Sequence, residues 1–441
     1  MDFTTFVEGR HFRGVGGRRQ SKRLRIFVGK RQELPVRLLN MNRSETRREA
    51  VLRLLSITTF LVIFQAYLVA PLIPALAKEF NASVDFLGLI VPAYMLPYGI
   101  CALFYGPFSD RIGRKAVILS LLAMMVLTIG GTATARTAWE MIAWRLACGI
   151  TSGGVVPISL ALLGDLFPYQ QRGRPIGWIF AAVAGGMAFG STCGALLNPI
   201  LGWRAEFLWL AAFSAVVLFS AIRLHGHFQA AIVPHPLSAR KVLEGYLSLL
   251  SDARGAKVYT YILFNGMFHS GIFSWLGLYF EQRYQLGDAG IGLALLSYGI
   301  PGMLFGPLLG QIADRIGRKR IIPFGILIAA VAGVAFIPET PLVLTAMLTG
   351  ILSLGYDMSH PLLAGISTSL NPARRGLAMG MNAFAVFTGY GLGPLLFELL
   401  LKRGFNQALI IFSVAQFLLG ALAIPFLRDE DSSMEAADLS G

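Results

Sequence analysis

The sequence predicts an all-α integral membrane protein of twelve transmembrane helices, built as two six-helix repeats with both termini in the cytoplasm. Three observations carry this expectation. The chain is far more apolar than a soluble protein, with 55% hydrophobic residues, 14% charged residues and a mean hydropathy of +0.62. Its charge-free stretches divide into twelve segments, most near the ~20 residues that a helix needs to cross hydrocarbon. A ten-residue basic loop also occurs twice, 204 residues apart.

As a soluble protein the 441 residues would form roughly three domains, whose surfaces 62 charged side chains cannot cover. The apolar excess must face lipid. In chain order, the stretches free of Asp, Glu, Lys and Arg are 54–77, 86–109, 116–135, 146–164, 175–203 and 207–222 in the first half. In the second half they are 258–280, 289–313, 321–338, 340–373 with Asp357 as its one interruption, 376–397 and 404–427.

Twelve spans sort the 38 Lys and Arg lopsidedly: 31 fall on the side of the N-terminus, six on the other side, and Arg145 falls inside span 4. That bias places both termini in the cytoplasm and accounts for the net charge of +14 as membrane topology, which argues against a nucleic-acid partner. Cys101, Cys148 and Cys193 all fall in apolar spans and behave as small buried hydrophobes, with no disulfide framework and no metal-binding spacing.

Five segments follow. Residues 1–50 form a basic cytoplasmic tail expected to be disordered, 51–224 a first six-helix half, 225–256 a cytoplasmic linker, 257–427 a second half, and 428–441 an acidic tail. The linker is marked by Pro234, Pro236, Arg240, Lys241 and Arg254, with Lys257 just past its end.

The halves repeat each other. GPFSDRIGRK at 106–115 matches GQIADRIGRK at 310–319, and Tyr94 and Pro97 match Tyr298 and Pro301 at the same offset. At an offset of 203, Arg172, Gly173, Gly177, Gly186 and Gly190 match Arg375, Gly376, Gly380, Gly389 and Gly393. Two parallel repeats related by an axis along the membrane normal favour a substrate path between them at mid-membrane.

The loop Gly106, Asp110, Arg111, Gly113, Arg114, Lys115 resembles the hallmark between spans 2 and 3 of the major facilitator superfamily, and Gly310, Asp314, Arg315, Gly317, Arg318, Lys319 repeats it. Within that superfamily the chain looks like the twelve-span drug:proton antiporters. Arg145 and Gly149 sit close to that group's RxxxG motif, with Cys148 where Gln is usual. Gly177, Gly186, Gly190 and Gly194 follow its span-5 signature, with Ser191 for the proline and Ala195 for the last glycine. The resemblance covers about residues 51–427 and implies a secondary transporter working as a monomer, with a cavity lined by spans 1, 4, 7 and 10.

The loop residues predict a latch. Asp110 and Asp314 would pair with Arg groups or helix ends across the seam between the halves, and Asp165, by the family resemblance, would be a partner of the 106–115 loop. Glycine permits the tight turn. Gly186, Gly190 and Gly194 recur every four residues and form a small-residue stripe for close helix approach, and Gly380, Gly389 and Gly393 in span 11 keep the spacing of the span-5 signature and are likewise expected to pack helices.

Arg145 and Asp357 are formal charges inside spans, where charge is costly unless paired or hydrated. Arg145 would serve as a fixed cation, whereas Asp357 can gain and lose a proton and is the preferred proton carrier. With the cavity that the resemblance implies, Gln65, Arg145, Asn265, His269, Asp357 and His360 come to one place as the substrate and proton pathway. For the lone His and amide residues the plainer reading is a hydrogen bond between packed helices.

Enzyme readings fail. Leu162 breaks the GxGD pattern of an intramembrane aspartyl protease, and the chain contains no HExxH, GxSxG or Walker A motif, so no catalytic residue, metal or cofactor is called for. The expected function is proton-coupled export of small hydrophobic or amphipathic compounds from a bacterial inner membrane. The rival is proton-coupled import of a sugar or organic acid, which the same fold would serve.

Overall fold

The computed structural model describes residues 33–167, 173–224, 238–371 and 375–438. They are helical almost throughout, with no strand among the described residues. Met1–Arg47 and Arg48–Gly441 cluster as separate units. Of the first unit, residues 33–47 are helical, so helix begins within the segment expected to be a disordered tail. The run Arg43–Arg53 contains no Gly or Pro and is rich in Arg and Glu, both good helix formers.

The first repeat comprises α1 (Glu33–Leu68), a 3₁₀ turn (Ala70–Leu72), α2 (Ile73–Glu79), α3 (Val84–Gly88), α4 (Ile90–Ile112), α5 (Arg114–Ala133), α6 (Ala138–Ser152), α7 (Val155–Leu166), α8 (Gly173–Leu201) and α9 (Trp203–Arg223). The expected linker contains α10 (Ala239–Ser251). The second repeat comprises α11 (Ala253–Tyr284), α12 (Asp288–Ile316), α13 (Arg318–Ala335), α14 (Leu342–Leu370), α15 (Arg375–Leu401) and α16 (Phe405–Asp438), the last extending through most of the expected acidic tail.

Among the described residues nine helical stretches are long and apolar enough to cross a membrane. They correspond to the six charge-free stretches of the first half and the last three of the second. Helices α11, α12 and α13 coincide with the remaining three.

Breaks within the spans have local causes. Pro71 and Pro74 end α1 and separate it from α2, because proline removes a backbone donor and crowds the preceding turn. Between α6 and α7, Gly153 and Gly154 lie so close to α4 and α5 that an added Cβ would sit 2.5 Å from the Tyr98 carbonyl and 2.6 Å from Leu121, respectively. Side-chain oxygens cap the starts: Thr137 accepts from the Glu140 amide at 3.2 Å and Asp252 from the Gly255 amide at 2.9 Å.

The duplication is visible in the backbone. Gly113 ends α4 at φ +107° and Gly317 ends α12 at φ +93°, the same position in the two basic loops. Both need the left-handed region that side chains disfavour. The glycine stripes repeat as well. A Cβ at Gly186, Gly190 or Gly194 would meet the carbonyls of Phe60, Phe64 and Leu68 on α1 at 2.2–2.8 Å. At Gly389 and Gly393 it would meet those of Leu263 and Met267 on α11 at 2.2–2.3 Å. Glycines and carbonyls are thus paired at the same offset of 203 in both repeats. These are backbone-on-backbone contacts, in which dispersion replaces the hydrophobic drive that lipid does not supply. Gly380, by contrast, faces the Tyr246 hydroxyl of α10.

Two seams join the repeats. α4 packs on α15, with Tyr98 stacked on Phe387 at 3.7 Å between ring centres and Gly99 beside the Phe384 carbonyl. α8 packs on α12, with Ala188 against Gly299.

Candidate substrate and proton site

In the second repeat one face of α14 presents Ser353, Asp357 and His360, spaced by four and three residues and therefore aligned. Asp357 and His360 are partly exposed. The Asp357 carboxylate accepts a hydrogen bond from Ser353 Oγ at 3.2 Å and packs against Gly302 of α12, where a Cβ would come within 2.7 Å of it. Among the described residues it has no ion-pair partner. Charge there is compensated by one hydroxyl, so a proton or a cationic group arriving at the carboxylate gains most of what water would otherwise supply.

Around it lies an aromatic cluster. His269 of α11 stacks on Tyr356 at 4.1 Å, and Tyr356 stacks on His360 at 4.9 Å, both on α14. His269 Nε2 is hydrogen-bonded to the Tyr298 hydroxyl of α12. Tyr67 of α1 meets Phe273 at 5.4 Å and Tyr390 of α15 at 6.5 Å, and Phe273 meets Tyr298 at 4.1 Å. Five helices from both repeats therefore converge on one wall of rings beside one carboxylate. The second ring nitrogens, Nδ1 of His269 and of His360, have no hydrogen-bond partner among the described residues.

Arg145 and Gln65 lie elsewhere. The Arg145 guanidinium is fully buried on α6 and donates to the carbonyls of Gln65 (3.1 Å), Ala66 (3.4 Å) and Ile90 (3.5 Å). It also lies over the Tyr94 ring at 4.4 Å, and the Tyr94 hydroxyl donates to the Val62 carbonyl at 3.0 Å. Gln65 and Ala66 occupy the last turn of α1, where carbonyls lack partners within the helix and the dipole favours a cation. Arg145 is thus a C-terminal cap for the broken span. Gln65 Nε2 donates to Ser152 Oγ at 2.9 Å. Gly149, one turn after Arg145, is where α6 meets α4: a Cβ there would sit 2.2 Å from the Tyr94 carbonyl.

Asn265 takes the packing role. Its Nδ2 donates to Ser359 Oγ at 2.9 Å and its Oδ1 accepts from Gln416 Nε2 at 2.8 Å, which ties α11 to α14 and α16. The six residues expected in one place therefore form separate groups: His269, Asp357 and His360 among the rings, Gln65 and Arg145 at the end of α1, and Asn265 between helices. The latter three are engaged locally, Arg145 by carbonyls, Gln65 Nε2 by the Ser152 hydroxyl and Asn265 by Ser359 and Gln416, while Gln65 Oε1 has no hydrogen-bond partner among the described residues.

In the first basic loop Arg114, not Arg111, is the hub. It binds Asp110 through Nε (3.1 Å) and Nη2 (2.9 Å) and Asp165 through Nη1 (2.6 Å). Arg111 is exposed, and the bridge ties α4, α5 and α7 within the first repeat, where a pairing across the seam was expected. In the second loop the Arg318 guanidinium lies beside Gly365 of α14, and Arg315 and Lys319 are exposed. Gly310 and Asp314 lie in α12, and the side-chain surroundings at both positions fall outside what is described. Gly106, Gly177 and Gly376 have open space where a side chain would be.

Sequence reasoning missed Tyr67, Tyr356 and Tyr390 as parts of this cluster; Tyr298 was picked out only by its match to Tyr94. It also missed Glu206 of α9, 5% exposed, with no partner for either carboxylate oxygen among the described residues. That residue separates stretches 175–203 and 207–222, so reading by charge-free runs treats it as a boundary.

Duplicated helices, a glycine-sealed scaffold and a carboxylate among rings at the meeting of both repeats define a helical membrane transporter. The family model of the Major Facilitator Superfamily matches residues 55–352 and 284–439, and the chain belongs to that family, as a multi-pass integral protein of the plasma membrane of the bacterial inner-membrane type. It is 28% identical over 346 residues to the tetracycline resistance protein, class E, of Escherichia coli, covering 76% of this chain and 83% of that protein. It is 28% identical over 393 residues to the gentisate transporter of Corynebacterium glutamicum, covering 83% and 85%. Its fold matches the crystal structure of the human organic anion transporter MFSD10 with a TM-score of 0.68 at 19% identity, covering 86% of this chain and 99% of that one.

Proposed function

We propose that the protein is a proton-coupled exporter of small hydrophobic or amphipathic compounds. It works as a monomer by alternating access, through twelve spans in two six-helix halves with both termini cytoplasmic. The observation that carries this reading is Asp357, held by one hydroxyl against a wall of aromatic rings to which both repeats contribute. A carboxylate so placed exchanges a proton for a cationic or neutral apolar substrate, and the rings supply dispersion and cation–π attraction. Similarity to a tetracycline resistance protein supports export.

Similarity to a gentisate transporter favours a second reading, proton-coupled import of an organic acid. The geometry argues against it, because Arg145, the buried cation among the described residues, is held by three carbonyls and by the Tyr94 ring. An anion would find no spare cation there.

The test uses purified protein in liposomes with an internal pH dye. Under an imposed proton gradient, a panel of cationic dyes, antibiotics, sugars and organic acids is added. Discharge by lipophilic drugs supports export by antiport, whereas discharge by an organic acid or sugar entering with protons replaces it with import.

A further inference from the structure

Helix α10 has two apolar faces, of which the protein uses one. Val242, Tyr246 and Leu249 are buried, and the Tyr246 hydroxyl donates to the Leu103 carbonyl of α4 at 2.8 Å. Leu243, Leu247 and Leu250 are 58%, 56% and 43% exposed. Each leucine follows a packed residue by one position, so at about 100° per residue they form a second stripe roughly 100° around the helix from the packed one. The remaining arc is polar and carries Arg240, Lys241, Glu244, Ser248 and Ser251, all exposed.

The helix is held firmly. Ser238 caps its start by accepting from the Lys241 amide at 3.4 Å. At its end Gly255 closes a turn so tight that a Cβ would lie 2.0 Å from the Leu249 carbonyl, and Asp252 caps α11 directly after it. Tyr246 also reaches Gly380 of α15, so α10 touches both helices of the α4–α15 seam.

We propose that α10 lies in the inner membrane–water interface, with Leu243, Leu247 and Leu250 in the lipid and Arg240 and Lys241 on anionic headgroups. The inference rests on the cytoplasmic placement of the linker in the preceding reading. Lipid is the occupant because the stripe continues an apolar belt: Phe104 and Phe108, on the end of α4 to which Tyr246 is anchored, are 62% and 49% exposed. Arg240 flanks the stripe and Lys241 lies on the polar arc, the arrangement of helices that rest in an interface with their charged face toward headgroups and water. Anionic lipid would thereby bear on the seam between the repeats through Tyr246.

The test compares the full-length protein, cleared of Cys101, Cys148 and Cys193 by alanine, with an environment-sensitive NBD dye on Leu247→Cys or on Ser248→Cys. Both are reconstituted in phosphatidylcholine vesicles with or without phosphatidylglycerol as about a third of the lipid. The expected result is about twofold stronger quenching at position 247 than at 248 by a lipid spin label near the glycerol, increased by phosphatidylglycerol. Arg240→Gln with Lys241→Gln should remove the increase. Equal quenching of both positions by aqueous iodide would overturn the proposal, as would protection from both quenchers that fades on dilution in lipid, the mark of a second copy. Lipid quenching indifferent to phosphatidylglycerol would overturn the headgroup part. If the cysteine-free protein fails to fold, Leu247→Trp and Ser248→Trp in the native background, read as difference quenching by brominated lipids, give the same comparison. No transport is measured, so failure here is distinct from failure of the exporter reading.

Discussion

The two repeats handle their buried charges in opposite ways. In the first, proline breaks the span after Leu68, and the loose carbonyls of its last turn are gathered by Arg145. In the second, α11 runs unbroken from Ala253 to Tyr284, satisfies its own carbonyls and needs no such cap. At an offset of 203 the position of Ala66 becomes His269, and at 204 Tyr94 becomes Tyr298. Tyr94 supports a fixed cation, whereas Tyr298 hydrogen-bonds a histidine in the ring cluster beside Asp357. One duplicated scaffold thus gives a structural keystone on one side and a chemically free site on the other.

The largest expected effect separates these roles. Asp357→Asn should bring proton-linked transport to the background of empty liposomes while the protein inserts and purifies normally, and Asp357→Glu should restore part of it. Coupling that survives in the Asn variant would remove Asp357 from the mechanism.

Arg145 should respond in stability. Arg145→Leu is expected to cost ~2–4 kcal/mol, because buried carbonyls lose their donors. Arg145→Lys should recover only part, since a point charge cannot span three carbonyls. Thermal unfolding in detergent checks both, and a normal melting temperature with lost transport would move Arg145 into the site.

The glycine seams sharpen the comparison from the other direction, because here the repeats are alike. Gly190→Val and Gly393→Val should each destabilise by ~1–3 kcal/mol through forced separation of two backbones. Clearly unequal losses would show that the seams have diverged.

The smallest effect is expected at the basic loops. Arg114 holds two carboxylates, whereas at an offset of 203 Thr368 stands where Asp165 would be, its hydroxyl turned to the Gly365 carbonyl at 2.7 Å. Arg114→Gln should slow turnover several-fold, within the ~1 kcal/mol typical of partly exposed ion pairs, and Arg318→Gln by less. Initial rates at saturating substrate settle the order.

The helical spans, the duplication and the glycine stripes were all legible in the sequence, because each is a periodic or repeated signal. Asp357 was legible because charge in an apolar run is rare. The tyrosines beside it were not: among 31 Phe and 13 Tyr, most serve packing, and no spacing marks the few that converge from different helices. Nor could the sequence tell whether Arg145 meets a carboxylate or carbonyls, since the backbone has no letter of its own. Asn265 looked equally suited to a cavity or to packing, and Ser359 and Gln416, 94 and 151 residues away, decide it.

The paired glycine seams also have a mechanical consequence. Helices that meet backbone to backbone at their glycines leave few side chains there to re-sort, so in the proposed alternating-access cycle α1 with α8, and α11 with α15, would travel as solid struts. Any hinge must lie where side chains intervene, such as the Tyr98–Phe387 stack. A staple across either strut should therefore go unnoticed by the cycling protein, and the same staple across that stack should stop it.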